Sequence, residues 1–336
     1  MSLAELHAAH AFEPAPRRSS LHRLHVEFDD LTGAPTCEAP LLAALTSGQR
    51  VALVGSSGSG KTSVTEWVLG PLREGVAPIH VPVSIEDPQI ATSPSEFARH
   101  LVGLVRRWVT EGLPKDSGRA SRVGAKPTGR SRRFSVAPSW MGAKVELGYE
   151  LRQAVDDEPV TGGERIEQAR QLLDIIGANG LRPVLVLDDT DRWLSPSWAN
   201  NEEVRSGFFR RVVRVLAEEL DAAAVIAVHP DYLGDPDYQA AVGFLDARVE
   251  VPHLPDPAAI EQLLARRAQV ALDRDDLDQP ITAEACRALY DHYVSSPNVR
   301  VAVLQVAHLA LTLSVDDDCT TIDEAHIHAS IVETGR

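Results

Sequence analysis

Cysteine is scarce in this chain, with three residues in 336: Cys37, Cys286 and Cys319. Their number is odd and their spacing wide. That excludes a disulfide framework and a cysteine-based zinc motif, and it points to a reducing compartment. No apolar run in the sequence reads as long enough to span a membrane. The N-terminus, Met1-Ser2-Leu3-Ala4-Glu5-Leu6-His7, lacks a basic stretch followed by an apolar one and does not read as a secretion signal. A cytoplasmic protein with no membrane partner is therefore expected. Positive charge is also in short supply, with 33 Lys and Arg against 48 Asp and Glu and a net charge of −15. Such a surface disfavours indiscriminate nucleic-acid binding but leaves room for a local basic patch. Internal repeats are missing, as is any nucleophile–base arrangement for hydrolase or transferase chemistry. His22 with His25, and His326 with His328, lack the cysteine or carboxylate spacing of a metal site and read as surface histidines.

What is present is an ordinary globular composition, 44% apolar and 24% charged, in a chain long enough for two domains. Its most informative stretch is Gly55-Ser56-Ser57-Gly58-Ser59-Gly60-Lys61-Thr62. This matches G-x-x-x-x-G-K-[ST], in which glycines let successive backbone N–H groups wrap a phosphate. Lys61 is expected to reach the β/γ oxygens and Thr62 to offer its hydroxyl to Mg²⁺. Arg50–Val54 reads as a buried strand entering the loop. Ser63–Leu69 reads as a helix leaving it and stopping at Gly70-Pro71. The helix N-terminus, at Ser63, adds its partial positive charge to the anion site.

Strands and helices alternate downstream. Ile79–Val83 is expected to be a strand, at an edge because of Pro82. Glu96–Val109 and Glu164–Ile176 carry helical stripes. Val184–Leu187 and Ala223–Val228 read as buried parallel strands, with a helix over Phe208–Leu220 between them and a short last strand at Arg248–Val251. This order predicts an α/β fold: a doubly wound, parallel, five-stranded P-loop sheet. After Pro252 the pattern is wholly helical and predicts a C-terminal lid bundle, its last helix opened by a capping box of Thr321 and Glu324. The expected organisation is a lead-in over 1–47, an ATPase domain over 48–252 and a lid over 253–336. Leu41–Leu45 should form a short helix before the first strand.

One segment departs from the acidic background. Residues 112–133 hold Lys115, Arg119, Arg122, Lys126, Arg130, Arg132 and Arg133 against Asp116 alone. They read as a flexible loop, followed by a β-hairpin that extends the insert to about 152. Nucleic acid, an acidic protein surface and plain solvent are all open as its surroundings.

Asp188-Asp189 closes an apolar strand. Asp188 suits Mg²⁺, as a hard oxygen ligand, and Asp189 suits an attacking water. His229 follows the Ala223–Val228 strand, where it either positions that water or simply makes a turn before Pro230. Arg248 and Arg300 either neutralise charge on a transferred phosphoryl group or lie solvated at the surface.

The order of these pieces resembles the AAA+ ATPase superfamily over residues 41–335. Gly55–Thr62 looks like Walker A and Val184–Asp189 like Walker B. His229 falls at the sensor 1 position, Arg248 at the arginine finger, and Ser296-Pro297-Asn298-Val299-Arg300 at sensor 2. Within the superfamily, the chain is similar to origin-recognition ATPases and transposition regulators. Asp188-Asp189-Thr190-Asp191-Arg192 is also similar to a run in signalling NTPases of prokaryotic conflict systems. The resemblance implies an Mg²⁺-dependent ATPase acting as a homo-oligomer and engaging nucleic acid or an effector protein, in transposition or antiviral defence. It also implies two alternatives, a switch with little turnover and a non-hydrolysing scaffold. Three departures stand out. The basic hairpin insert lengthens the interval between the two Walker motifs beyond the usual. Asp occupies the position of Asp189 where Glu is usual, which implies slow hydrolysis. The residues after the lid are too few for the winged-helix domain of replication initiators.

Overall fold

The computed structural model describes residues 2–70, 75–83, 89–124, 161–190, 194, 201–277 and 279–335. Five short apolar segments form one parallel sheet: β1 (Arg50–Val54), β2 (Val76–His80), β3 (Arg182–Leu187), β4 (Ala223–Val228) and β5 (Ala247–Glu250). Their order is β2-β3-β4-β1-β5. The acidic-pair strand and the P-loop strand thus flank β4. All six residues of β4 are buried, which explains why that strand carries no alternation.

Alternate residues feed two cores. Val51, Leu53, Val184, Val186 and Val225 face one side, with Val249 and Val251. Ala52, Val54, Leu185, Leu187 and Ile226 face the other, against the helices Pro94–Gly112 and Gly162–Ala178. The first core continues without a break into the lid and the N-terminal segment: Leu3, Leu6, Phe12, Phe28 and Leu41 belong to it, together with Ile260, Leu289 and Leu311. The lead-in is thus part of the folded body. Its helix Leu3–Ala8 opens with a capping box of Ser2 and Glu5.

Several elements differ from expectation. The second strand lies three residues earlier than Ile79–Val83, at Val76–His80. It is nevertheless an edge strand among the described residues, and the proline inside it is Pro78 rather than Pro82. Gly75 and Val81 make their backbone bonds to β3, so the alternation leaves the nitrogen of Pro78 on the open side, where a donor is not needed. The first part of the basic segment is helical rather than loop, with a 3₁₀ turn at Pro114–Asp116 and a helix at Ser117–Arg122. Asp116 pairs there with Arg119 at 3.0 Å. Lys126, Arg130, Arg132, Arg133 and the hairpin expected to about 152 lie outside the described residues. The expected capping box of Thr321 and Glu324 does not form. Asp323 caps the helix Glu324–Thr334 instead, its side chain accepting from the His326 N–H. The helix expected over Phe208–Leu220 starts earlier, at Asn201, and passes through a wide π turn at Phe208–Val212 before ending at Glu218.

The lid comprises Pro257–Leu272, Ala283–Ser295, a π-helical stretch at Val299–Gln305 that runs into Val306–Asp316, and Glu324–Thr334. Against expectation, Val299–Asp316 reaches the length and apolarity of a membrane span, with mean hydropathy 1.4 over 18 residues. Val303, Val306, Ala307, Ala310 and Leu311 from this run are buried in the lid core, which accounts for its apolar character.

Candidate nucleotide site

The sequence Gly-Ser-Ser-Gly-Ser-Gly-Lys-Thr turns sharply because two of its glycines take backbone angles that side chains resist. Gly58 has φ +75° and Gly60 φ +106°. The helix Lys61–Leu69 then starts at once. Lys61 is buried, and its Nζ donates to the carbonyls of Gly55 at 2.7 Å and Ser56 at 3.0 Å. The ammonium is thereby held inside the curl of the loop. The Ser59 hydroxyl is buried there with no hydrogen-bond partner among the described residues. A buried donor of that kind requires an acceptor, and a phosphate oxygen supplies one.

Asp188 and Asp189 emerge from β3 beside this loop. Asp189 has φ +54°, a left-handed conformation that Asp adopts more readily than most residues. Thr190, fully buried, donates its hydroxyl to the Ala227 carbonyl and ties the turn to β4. The two carboxylates, the loop and the lid enclose a cavity of about 610 Å³. Ser57 through Ser63, Asp188, Asp189 and Arg300 all line it. Gly55 and Ser56 shape the loop entrance, Gly55 through its N–H to the Val228 carbonyl at 3.1 Å. Thr62 and Asp188 both line the cavity, and their oxygens are donors suited to a divalent cation. Among the described residues, no group of three or more His, Cys, Asp and Glu forms a separate metal site.

The lid rests directly on the loop. The Ser56 hydroxyl donates to the Pro297 carbonyl at 3.2 Å. Asn298 caps the π-helical stretch, accepting from the Val301 N–H at 3.1 Å, and so sets Arg300 at the cavity wall.

His229 and Arg248 lie elsewhere. His229 caps the turn Pro230–Tyr232 through Nδ1, which accepts from the Asp231 N–H at 3.3 Å. It does not line the cavity. Arg248 lies within β5, exposed and paired with Glu250 at 2.7 Å. Neither joins the P-loop site within this chain.

Sequence reasoning missed the contribution of the N-terminal segment. Phe28 packs 3.6 Å from where a Cβ on Gly60 would stand. His25, expected at the surface, is buried between Glu38, at 2.8 Å from Nε2, and the Ser63 hydroxyl, at 3.0 Å from Nδ1. Glu38 also accepts the N–H groups of Phe28 and Asp29. Asp29 accepts from Thr36, Cys37 and Ala39, each at 2.7 Å. Burial opposes its charge, but these three backbone donors prevail and hold its carboxyl below the usual range. Arg18 reaches Glu66 at 2.6 Å and Asp188 at 3.3 Å. Arg267 of the lid, largely buried, donates to the Glu13 carbonyl at 2.8 Å and lines the same cavity; burial brings its pKa down to about 10. The lead-in's prolines were visible in sequence, but no local pattern marks these long-range contacts.

No protein-family model and no curated protein matches the sequence. Solved structures do. Cdc6p from Pyrobaculum aerophilum is similar at a TM-score of 0.52 and 13% identity, over 97% of this chain and 70% of that one. ORC2 from Aeropyrum pernix, solved as ADPNP–ADP complexes, is similar at 0.51 and 13% identity, over 92% and 68%. At that identity the likeness concerns the fold, and it agrees with the strand order, the P-loop and the helical lid observed here. The chain thus shares the fold of these two proteins, a parallel five-stranded P-loop sheet carrying a helical lid.

Proposed function

We propose that the chain binds ATP with Mg²⁺ in the cavity between sheet and lid and hydrolyses it slowly. The observation that supports this is the convergence of Lys61, the Ser59 hydroxyl, unpartnered among the described residues, Asp188 and Arg300 on one cavity. That the similar ORC2 was solved with ADPNP and ADP fits the same ligand class. Bound Mg²⁺ would neutralise phosphate oxygens, held by the Thr62 hydroxyl and Asp188. Lys61 would turn its ammonium from the Gly55 carbonyl to the β/γ oxygens. Asp189 would orient the attacking water, and its short side chain favours slow turnover. Arg300 would carry the lid's response to the γ-phosphate.

In this reading, nucleotide state governs assembly of copies and engagement of nucleic acid or an effector protein. The basic residues of 112–133 support nucleic acid, and the Asp188–Arg192 run supports a setting in transposition or antiviral defence. Asp189 also favours a second reading, in which ATP binding locks a signalling assembly and hydrolysis only resets it. Intact Lys61, Thr62 and Asp188 argue against a scaffold that never hydrolyses.

The test is a nucleotide titration of the purified Lys61→Ala variant. Loss of the cation should cost about 100-fold in affinity, from hydrogen bonds to a charged group. Unchanged affinity would overturn the site. For the basic segment, DNA binding should require ATP and weaken with salt. Replacing Arg130, Arg132 and Arg133 should flatten that dependence by about one unit of slope per lost phosphate contact. Binding unaffected by the triple change assigns the segment to protein contact or solvent.

A further inference from the structure

Arg18 begins a 3₁₀ turn in the N-terminal segment, 170 residues from Asp188 in sequence. Its guanidinium donates through Nε to Glu66 Oε1 at 2.6 Å and through Nη2 to Asp188 Oδ2 at 3.3 Å. The two carboxylate side chains are only 12% and 9% exposed, whereas that of Arg18 is 42% exposed. Two nearly buried anions therefore share one partly exposed cation from outside the sheet. His80, at the end of β2, stands 3.7 Å from Glu66. Burial, and then the charge of Arg18, keep its imidazole from protonating readily. Arg18 is thus the guanidinium that Glu66 and Asp188 share at this end of the cavity.

Glu66 lies one helical turn beyond Thr62, and Asp188 ends the neighbouring strand β3. In the proposed function, Thr62 and Asp188 are the metal-holding oxygens. A carboxylate oxygen engaged by a guanidinium cannot give the same lone pairs to a divalent cation, and two positive centres at that spacing repel. We propose that Arg18 is a displaceable positioning residue. It holds Asp188 and Glu66 in place, competes with the metal for Asp188, and on release frees residues 14–24 from the sheet. Before release, Arg18 lines the cavity together with Lys61 and Arg300. Loading of the site is thereby coupled to the lead-in, whose neighbour His25 bonds Ser63 and whose Arg23 and Glu13 touch the lid. This inference rests on the nucleotide reading above.

The experiment uses the full chain, a fluorescent ATP analogue (mant-ATP) and a Mg²⁺ titration at saturating nucleotide. Arg18→Ala should lower the Mg²⁺ concentration at half-effect by about two- to fivefold, the range for an ion pair with one exposed partner. Glu66→Gln leaves Arg18 to Asp188 alone and should raise it. This second variant decides the matter if Arg18→Ala does not fold. Hydrogen exchange over residues 14–24 should quicken when the parent takes up Mg²⁺ and nucleotide, and should already be fast in Arg18→Ala. An unchanged Mg²⁺ midpoint in both variants overturns the inference. So does an equal loss of nucleotide affinity with Mg²⁺ and with EDTA, which would make Arg18 a structural tie alone. If the parent binds mant-ATP and Lys61→Ala does not, such a failure concerns Arg18 only. A parent that binds no mant-ATP overturns both readings.

Discussion

The Asn298 side chain of the lid sits so closely over Gly58 of the P-loop that a Cβ on Gly58 would lie 2.0 Å from its Oδ1. Gly58 also has φ +75°, so it is held by both backbone conformation and contact. Gly58→Ala should lower stability by about 1–2 kcal/mol from backbone strain alone and should push the lid off the loop. Adding Asn298→Ala should relieve the collision but leave the strain. Thermal melts of the parent and the two variants separate the two effects, and equal melting of the single and double variants would discount the lid contact.

The acidic pair is expected to split its roles. Asp189→Asn keeps a residue tolerant of the left-handed conformation seen at φ +54°. Nucleotide affinity should persist while turnover falls about 100-fold, the usual scale for losing a group that moves a proton. Asp188→Asn should instead raise the Mg²⁺ requirement. Phosphate-release assays across a Mg²⁺ series measure both, and parental turnover in Asp189→Asn would move the water-orienting role elsewhere.

Arg248 is exposed and lies away from its own chain's cavity, so any finger role must be played in a neighbouring copy. Mass measurement with a non-hydrolysable ATP analogue should show oligomers. Arg248→Ala should then slow turnover without weakening nucleotide binding. Unaltered turnover removes Arg248 from the reaction.

Glu38 is buried and serves three partners, His25 and the N–H groups of Phe28 and Asp29. Glu38→Ala leaves all three without an acceptor and should cost about 3 kcal/mol. Phe28 borders Gly60, so nucleotide affinity should fall as well. Urea unfolding and a nucleotide titration read the two effects, and a parental urea midpoint would show that the segment is held by its apolar contacts instead.

His308 links the lid to the N-terminal helix, stacking with His7 at 6.5 Å. Burial, and then His7 and His10, lower its pKa below the ordinary histidine value. The unfolded chain therefore binds the proton more readily than the folded one. Stability should rise with pH up to about 6.5 and fall as the solution is acidified below it. His308→Gln should flatten that fall in urea titrations between about pH 7 and pH 5. A slope equal to the parent's would assign the effect to other groups.

The sheet and the P-loop were legible because buried parallel strands are short unbroken apolar runs, as in Ala223–Val228, and because Gly55–Thr62 carries its own chemistry. The position of β2 was misread because Pro82 looked like the strand's own proline, whereas Pro78 occupies the strand and Pro82 lies past its end. The lead-in was not legible as part of the site. Arg18 meets Asp188, and His25 meets Glu38 and Ser63, only after the chain has folded around the sheet. Nor does the spacing of Asn298 reveal its place over Gly58, although the segment around it was singled out.

Proline in β2 has a meaning beyond that misreading. Its nitrogen faces outward, so that border lacks a donor where an added strand would need one. The opposite border, β5, presents exposed Arg248 and Glu250. Among the described residues, both ends of the sheet are thus poor templates for pairing with a stray chain, in the cell or in a concentrated sample. Copies that join should therefore meet through surfaces other than these two strand edges.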